Sequence, residues 1–211
     1  MNKKGLFLTF EGIDFSGKTT QIELLVNMLD SHSIKNITLR EPGGTAIGEK
    51  IRNILLDKNS TAMASETELL LYSAARAQIV REAVEPKLQE GYVVILDRFF
   101  DSTIAYQGYG RQLALDQIEQ ITHFAVQKTI PDITFYFKLD LEEMYERKHK
   151  AGREDDRLEA NEREFFERII EGYEILAKAN PERYQILDAG KGKEAIFEEL
   201  QMTLKKRYQL F

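Results

Sequence analysis

The sequence contains Gly12-Ile13-Asp14-Phe15-Ser16-Gly17-Lys18-Thr19, an octapeptide that fits the pattern G-x-x-x-x-G-K-[ST]. Residues 6–10 before it form a short apolar run typical of a buried strand, and apolar side chains recur at helical spacing after Thr19. In such a strand–loop–helix unit, backbone N–H groups surround a polyphosphate and the helix N-terminus faces the anion. We therefore predict a nucleoside triphosphate site, with Lys18 at the terminal phosphates and Thr19 offering its hydroxyl to Mg²⁺. The alternative, a glycine-rich turn with a surface lysine, does not account for the complete pattern.

Composition narrows the class of protein. The 211 residues, 43% hydrophobic and 30% charged, fit one globular domain, which we expect to span residues 1–211. The net charge of −6 argues against a general nucleic-acid-binding surface, and no apolar run predicts a membrane span. Cysteine is absent, which excludes disulfides and thiolate metal sites. Acidic residues interrupt the apolar stretch after Lys3 and Lys4 too early for a secretion signal, so we expect an intracellular, cytoplasmic location.

Short apolar runs alternate with helical patterns along the chain. We predict strands at residues 6–10, 37–39, 92–96, 133–137 and 184–187. We predict helices after Thr19 and at residues 47–57, 66–90, 116–126, 141–150, 162–178 and 193–206. Gly91 is a natural stop for the long third helix, and Pro86 is expected to bend it. The alternation predicts an α/β fold, a parallel five-stranded sheet with helices on both faces and ligands at the carboxyl ends of the strands.

Several acidic residues fall at those strand ends, and the pair Asp97-Arg98 is the most informative. An acid beside a phosphate loop can hold Mg²⁺ or orient the attacking oxygen. The adjacent arginine can bind a phosphate through two parallel hydrogen bonds. By itself the pair could equally be a loop ion pair, and the phosphate loop is what favours a functional role.

Further segments carry a resemblance to a known family. They are Phe10-Glu11-Gly12-Ile13-Asp14, Arg40-Glu41-Pro42-Gly43-Gly44-Thr45, Leu69-Leu70-Leu71-Tyr72-Ser73-Ala74-Ala75-Arg76, Asp97-Arg98-Phe99, residues 102–108 and Pro131-Asp132. In their order and spacing, from about residue 5 to residue 190, the chain resembles the thymidylate kinases (dTMP kinases). The resemblance implies a P-loop NTPase-type fold, a homodimer and Mg²⁺-dependent transfer of a phosphoryl group from ATP to dTMP, yielding dTDP.

The resemblance also implies a set of site residues. ATP is expected at Gly12, Ile13, Asp14, Phe15, Ser16, Gly17, Lys18, Thr19, Thr20, Arg147, Arg157 and Gly190. The acceptor nucleotide is expected at Asp14, Glu41, Pro42, Arg52, Tyr72, Arg76, Arg98, Ser102, Thr103, Tyr106 and Gln107. The implied metal ligands are Thr19, Asp97 and Glu41, and the implied catalytic residues are Lys18, Arg98, Arg153, Asp97 and Asp14.

Within the acceptor site the resemblance assigns separate roles. Arg52 and Arg98 bind the phosphate, Arg76 contacts the edge of the thymine, and Thr103 and Gln107 reach its polar edge. Tyr72 stacks on the base, and Tyr106 packs under the sugar where a ribose 2′-hydroxyl would need room. An ordinary core-facing position is the alternative for Tyr72, but Arg76 four residues later shares its helix face, as expected of a pocket wall.

Residues 147–158 form a dense charged cluster, which composition alone would place at a solvated helix end. In the family the matching region is a lid that closes over ATP. Because Phe15 follows Asp14, the chain resembles the subgroup whose catalytic arginine comes from the lid. Arg153 is the first candidate for that arginine and Arg157 the second.

Two other functions remain open from the residues. One is a different kinase on this scaffold, acting on another nucleoside monophosphate or on a deoxynucleoside. The other is a nucleotide-dependent switch, which the sequence disfavours because it lacks the Asn-Lys-x-Asp run usual in guanine-specific switch proteins.

Overall fold

A computed structural model describes residues 5–152, 157–158 and 161–211. Within these residues, parallel strands form one five-stranded sheet with the order β2-β3-β1-β4-β5. The strands are β1 (Leu6–Glu11), β2 (Asn36–Arg40), β3 (Val93–Asp97), β4 (Ile133–Lys138) and β5 (Tyr184–Asp188). This confirms the predicted α/β fold and its parallel sheet. Every strand ends one residue past its predicted carboxyl end, because the polar residue there still pairs with a neighbouring strand.

Helices connect the strands, all but α5 at predicted places. They are α1 (Lys18–Ser31), α2 (Ala46–Leu56), α3 (Ser65–Ile79), α4 (Glu85–Gln89), α5 (Phe100–Thr103), α6 (Leu115–Val126), α7 (Leu141–Ala151), α8 (Arg163–Ala179) and α9 (Lys193–Tyr208). Among the described residues, each helix is too short or too polar to traverse a lipid bilayer.

Alternation along the strands gives the sheet an apolar core on both faces. On β1, Leu8 and Phe10 lie in a cluster with the buried faces of α1, α8 and α9. Phe7 points to the other face and packs with α3, α4 and α6. This is the two-residue period of a strand buried on both sides, which a continuous apolar sequence predicts.

The predicted helix over residues 66–90 is interrupted before its proline. A π-helical turn, Val80–Val84, separates α3 from α4, and the Glu85 N–H donates to the Val80 carbonyl oxygen five residues back. Pro86 lacks an N–H, and its ring would clash with the carbonyl group four residues before it, so the wider turn relieves the conflict. Gly91 follows with a φ of 83°, the left-handed conformation that ends such a helix.

Sequence reasoning missed one helical segment, which runs from α5 into a π-helical stretch, Ile104–Gly110. This segment packs closely on α8. A Cβ atom built on Gly172 of α8 would lie 2.6 Å from the ring of Tyr109, and one built on Gly110 would lie 2.7 Å from the ring of Phe165. Because these glycines have no side chain, an aromatic ring of one helix can pack directly against the backbone of the other.

The charged cluster at residues 147–158 begins inside a helix. Its first residues, 147–151, form the C-terminal end of α7, and Gly152 follows with a φ of 60°. Residues 153–156 lie outside the described residues. The division into one domain with a lid stays a prediction.

Helix α1 connects the phosphate loop to the core, so its packing can be tested directly. Leu25 is fully buried beneath the sheet. We expect Leu25→Ala to lower the free energy of unfolding by about 2–5 kcal/mol, because the deletion leaves a cavity. Urea denaturation measures this free energy. The control is Ile175→Ala on α8, where the side chain is 40% exposed, and its free energy of unfolding should stay within about 0.5 kcal/mol of wild type. Equal losses in the two variants would contradict the packing described here.

Candidate active site

The carboxyl ends of β1, β2 and β3 meet at one edge of the sheet. Phe10 of β1 lies opposite Asp97 of β3, and the Arg98 N–H donates to the Phe10 carbonyl oxygen at 3.0 Å. The Glu41 N–H donates to the Asp97 carbonyl oxygen at 2.9 Å. The phosphate loop, Asp97-Arg98 and the turn after β2 are therefore adjacent, as the fold class predicts.

The phosphate loop owes its shape to glycines in conformations that other residues avoid. Gly12 has a φ of 137°, and a Cβ atom there would lie 2.6 Å from the Phe137 carbonyl oxygen. Gly17 has a φ of 86° and immediately precedes α1. The loop thus turns sharply and directs the N-terminus of a 14-residue helix at the site.

Lys18 folds back onto the loop. Its Nζ donates to the carbonyl oxygens of Gly12 at 3.1 Å and Ile13 at 2.9 Å, and to Ser16 Oγ at 3.3 Å. Burial, followed by the nearby positive charge of Arg98, lowers the pKa of Lys18 to about 8. An incoming anion would offset both effects.

Arg98 joins the loop to the segment after β3. Its guanidinium donates to the Gly12 carbonyl oxygen at 2.7 Å and forms an ion pair with Asp14 at 2.8 Å. The same group lies over the Tyr106 ring, 5.1 Å from its centroid, and 3.3 Å from Ser102 Oγ. Its φ of 67° is unusual for a residue other than glycine. Such strained backbone conformations cluster at functional sites.

These elements enclose a cavity of about 430 Å³. Its wall contains residues from the phosphate loop, the turn after β2, helix α2 and the helical segment after β3. The lining residues are Asp14, Phe15, Ser16, Gly17, Lys18, Thr19, Arg40, Glu41, Pro42, Arg52, Leu56, Tyr72, Asp97, Arg98, Ser102, Thr103, Tyr106, Gln107 and Leu158. A phosphate-binding end and an aromatic and amide end therefore share one space, which suits two phosphorylated ligands placed end to end.

Comparison with known proteins identifies the class. The thymidylate kinase family model matches residues 10–200. The chain belongs to the thymidylate kinase family. It is 44% identical to a thymidylate kinase of Bacillus pumilus, with 96% of this chain and 98% of the relative covered. A Thermoanaerobacter thymidylate kinase is 45% identical, with 88% and 90% covered. A crystal structure of thymidylate kinase from Ehrlichia chaffeensis superposes with a TM-score of 0.78 at 33% identity, with 96% and 99% covered.

Most of the residues expected at the acceptor site line the cavity, and helix α2 helps to place one of them. Thr45 Oγ1 accepts from the Gly48 N–H and starts α2, which carries Arg52 to the cavity. The Arg52 guanidinium donates to the Pro42 carbonyl oxygen at 2.8 Å. Tyr106 is buried and lies edge-on to the rings of Phe165 and Tyr173, which fixes its orientation.

Arg76 lies elsewhere than the resemblance suggests. Its side chain is 1% exposed and outside the cavity lining, and its Nη2 forms an ion pair with Glu41 at 2.7 Å. It also donates to the Phe99 carbonyl oxygen, while its Nη1 has no hydrogen-bond partner in the described structure. Tyr72 does line the cavity, so Arg76 lies deeper than Tyr72, and its expected contact with the thymine stays a prediction. Because the Arg76 guanidinium is buried, it needs a counter-ion, and Glu41 supplies it.

The Arg76 pair also changes the expectation for Glu41. One carboxylate oxygen of Glu41 is held by Arg76, and the other, Oε1, is buried without a hydrogen-bond partner among the described residues. Burial raises the pKa of Glu41 to about 7 against the opposing effect of Arg76. A carboxylate committed to a buried arginine is a weaker candidate for direct metal ligation than Asp97.

Arg157 lies on the acceptor side of the cavity, not against the phosphate loop. Its Nη2 is 2.6 Å from Glu68 Oε2, and its Nε donates to the Leu55 carbonyl oxygen at 2.7 Å. In this structure a buried carboxylate engages the Arg157 guanidinium, and the expected contact with ATP stays a prediction. Arg153, the first candidate for the lid arginine, lies outside the described residues.

The remaining donor-side residues are placed as follows. Arg147 donates from Nη1 to the Phe15 carbonyl oxygen and from Nη2 to the Ala189 carbonyl oxygen, so it joins α7 to the phosphate loop and to the turn after β5. Gly190 follows in that turn and is exposed. The Ile13 side chain belongs to the core, so only its backbone could contact ATP, whereas Thr20 is exposed and outside the cavity lining.

Sequence reasoning missed a buried carboxylate beneath the site. Glu11 accepts from the Phe99 N–H at 2.7 Å, from Ser102 Oγ at 2.6 Å and from the Tyr173 hydroxyl at 2.9 Å. Burial, with the negative charge of Asp101, raises the pKa of Glu11 to about 7. The sequence could have indicated this carboxylate, because Glu11 ends the first strand and directly precedes Gly12 of the phosphate loop.

The lowered pKa of Lys18 predicts how triphosphate binding depends on pH. Above about pH 8 the unliganded lysine is neutral, so binding must take up a proton and the dissociation constant should rise, approaching tenfold per pH unit. Titration calorimetry with ATP from about pH 7.5 to about pH 9.5 tests this, because the last pKa of a terminal phosphate lies below this range. Lys18→Arg, which keeps its charge, should show a flat profile. An equally flat wild-type profile would refute the prediction.

Proposed function

We propose that this chain transfers the γ-phosphoryl group of ATP to dTMP, yielding ADP and dTDP. The observation that carries the proposal is the single cavity in which a phosphate loop faces an aromatic and amide wall, with Arg98 between them. Family membership and relatives named thymidylate kinase over nearly their whole length support it. The substrates in turn favour the cytoplasm as its location.

On the donor side, the loop amides and Lys18 would bind the ATP phosphates. Lys18 needs only to release the loop carbonyl oxygens it now contacts in order to reach the terminal phosphates. Arg147 lies where it can border the adenine, between the phosphate loop and the turn after β5. We further propose that residues 147–158 act as a lid and that Arg153 supplies the catalytic guanidinium.

The residues present fit a magnesium ion shared with the phosphates. Asp97 lines the cavity and has a buried Oδ1 without a hydrogen-bond partner among the described residues, and Thr19, in the first turn of α1, lines the same cavity. The described residues hold no cluster of three acidic or histidine side chains suited to a metal, which agrees with an ion held partly by substrate oxygens. Bound there, Mg²⁺ would neutralise charge on the transferred group.

On the acceptor side, Arg98 and Arg52 would bind the dTMP phosphate and Tyr72 would stack on the base. Stacking contributes about 1–3 kcal/mol with little base selectivity, so Thr103 and Gln107 are left to read the polar edge. Tyr106, held by Phe165 and Tyr173, would close the space beneath the sugar. Asp14 would face the sugar 3′-hydroxyl.

Catalysis in this arrangement depends on cancelling the repulsion between two anions. An oxygen of the dTMP phosphate attacks the γ-phosphorus as the bond to the bridging oxygen breaks, and charge stays on the transferred group throughout. Arg98 can bind the attacking phosphate while Lys18 binds the donor phosphates, because both side chains line the same cavity.

We also propose a homodimer through an apolar face of α3 and α6. This face contains a groove of about 380 Å³ lined mainly by Leu70, Ala74 and Ala77 of α3 and by Ile121 and Phe124 of α6. Leu70 is 55% exposed and Phe124 is 81% exposed in the isolated chain. Large apolar side chains grouped in this way are typical of an interface, and a second copy is the occupant that the family resemblance supplies.

The activity is tested with ATP, Mg²⁺ and a panel of dTMP, dUMP, dCMP, AMP, GMP and thymidine. We expect dTMP to react fastest, and Lys18→Ala to lose at least roughly a hundredfold because the polyphosphate loses a fixed cation. Lys128→Ala, which removes an exposed lysine far from the cavity lining, should match wild type. Fastest turnover of AMP or thymidine would overturn the assignment.

The interface is tested by sedimentation. We expect wild type to sediment as a dimer and Phe124→Glu as a monomer, because a charge in the groove would have to be desolvated. Met202→Glu is the matched control, since Met202 is 64% exposed on α9, away from this face, and should leave the dimer intact. A dimeric Phe124→Glu variant would place the interface elsewhere.

A further inference from the structure

Glu68 of α3 is a buried carboxylate that contacts three side chains, those of Gln107, Arg111 and Arg157. Its side chain is 1% exposed. It accepts from Gln107 Nε2 at 2.8 Å, and from Arg111 Nε and Nη2 at 3.2 Å each. Arg157 Nη2 lies 2.6 Å from its Oε2. Neither Glu68 nor Arg111 lines the cavity, whereas Gln107 does.

The charge state of Glu68 follows from these neighbours. Burial opposes ionisation, but hydrogen bonds from Arg111, Gln107 and Arg157 outweigh it and hold the pKa of Glu68 below its ordinary value. An ionised carboxylate only accepts hydrogen bonds. The group that meets it from the side chain of Gln107 therefore has to be the NH₂ end of the amide.

This contact decides which end of Gln107 a ligand meets. A side-chain amide has a donor end and an acceptor end and can present either by rotating half a turn. With Nε2 bonded to Glu68, the amide cannot rotate, and its acceptor atom Oε1 is held on the side away from Glu68. The side chain of Gln107 is buried, so solvent does not compete for this orientation.

We propose that Glu68 is a positioning residue that sets base specificity, by fixing Gln107 as a hydrogen-bond acceptor in the cavity. Such an acceptor suits a pyrimidine with a proton on ring nitrogen N3, as in thymine and uracil. Cytosine has a lone pair at N3, and two acceptors facing each other in a buried site would leave both unsatisfied. This inference rests on the proposed function, because it requires the base to lie beside Gln107.

The test uses Glu68→Gln, which keeps the shape but can donate as well as accept. The Gln107 amide is then free to rotate and donate to N3 of cytosine. We expect the kcat/KM ratio of dTMP to 5-methyl-dCMP to fall roughly ten- to a hundredfold, as expected when one buried acceptor becomes satisfied. The ratio of dTMP to dUMP should stay within about twofold, because both bases carry a proton on N3.

Arg111→Gln is the matched control for a purely structural role. It removes an arginine from the same carboxylate but leaves the contact between Glu68 and Gln107, so stability should fall without a change in either ratio. In a Gln107→Leu background, Glu68→Gln should no longer alter the dTMP to 5-methyl-dCMP ratio, since the amide is gone.

A measurement on wild type covers the case in which Glu68→Gln does not fold. In the NMR spectrum of the dTMP complex, the base N3 nitrogen should show a scalar coupling, across its hydrogen bond, to the side-chain carbonyl carbon of Gln107. A folded dTMP complex without that coupling, or an unchanged dTMP to 5-methyl-dCMP ratio in a folded Glu68→Gln, would overturn the inference. Wild type that phosphorylates neither dTMP nor dUMP would instead refute the proposed function.

Discussion

Arg98 donates to the Gly12 carbonyl oxygen, pairs with Asp14 and lies over the ring of Tyr106, so one guanidinium joins the phosphate loop to the acceptor wall. The planar group can do this because its donors are spread across a rigid fork while its face stacks on an aromatic ring. Its backbone N–H is also bonded to the Phe10 carbonyl oxygen. This backbone hydrogen bond fixes both halves of the cleft relative to the central strands β1 and β3.

That arrangement concentrates positive charge before any ligand arrives. Lys18 and Arg98 are close enough for the arginine to lower the pKa of the lysine, and burial lowers it further. The negative charges of Asp97, Asp14 and Glu11 raise the pKa of Lys18 and so partly offset the repulsion between the two cations. A pair of phosphorylated ligands would supply further negative charge, so the site is organised for anions.

The sheet could be predicted from sequence because each strand is an apolar run and the glycine pattern fixes the first loop. The helical stretch after β3 could not, since its glycines disfavour a helix in isolation and only packing on α8 stabilises it. Pairings such as Arg76 with Glu41 and Arg157 with Glu68 join residues far apart in the chain and leave no local pattern. The family resemblance predicted most of the residues that line the cavity. How deeply Arg76 and Arg157 are buried depends on their tertiary contacts, which the sequence does not show.

The contact between α8 and the segment carrying Tyr106 has a consequence for how the pocket can diverge. Gly172 and Gly110 each receive an aromatic ring at a distance that leaves no room for a methyl group. A larger residue at either glycine would push the whole segment sideways and carry the nucleoside wall with it. The width of the pocket is therefore adjustable from its outer side, by substitutions that never touch a nucleotide.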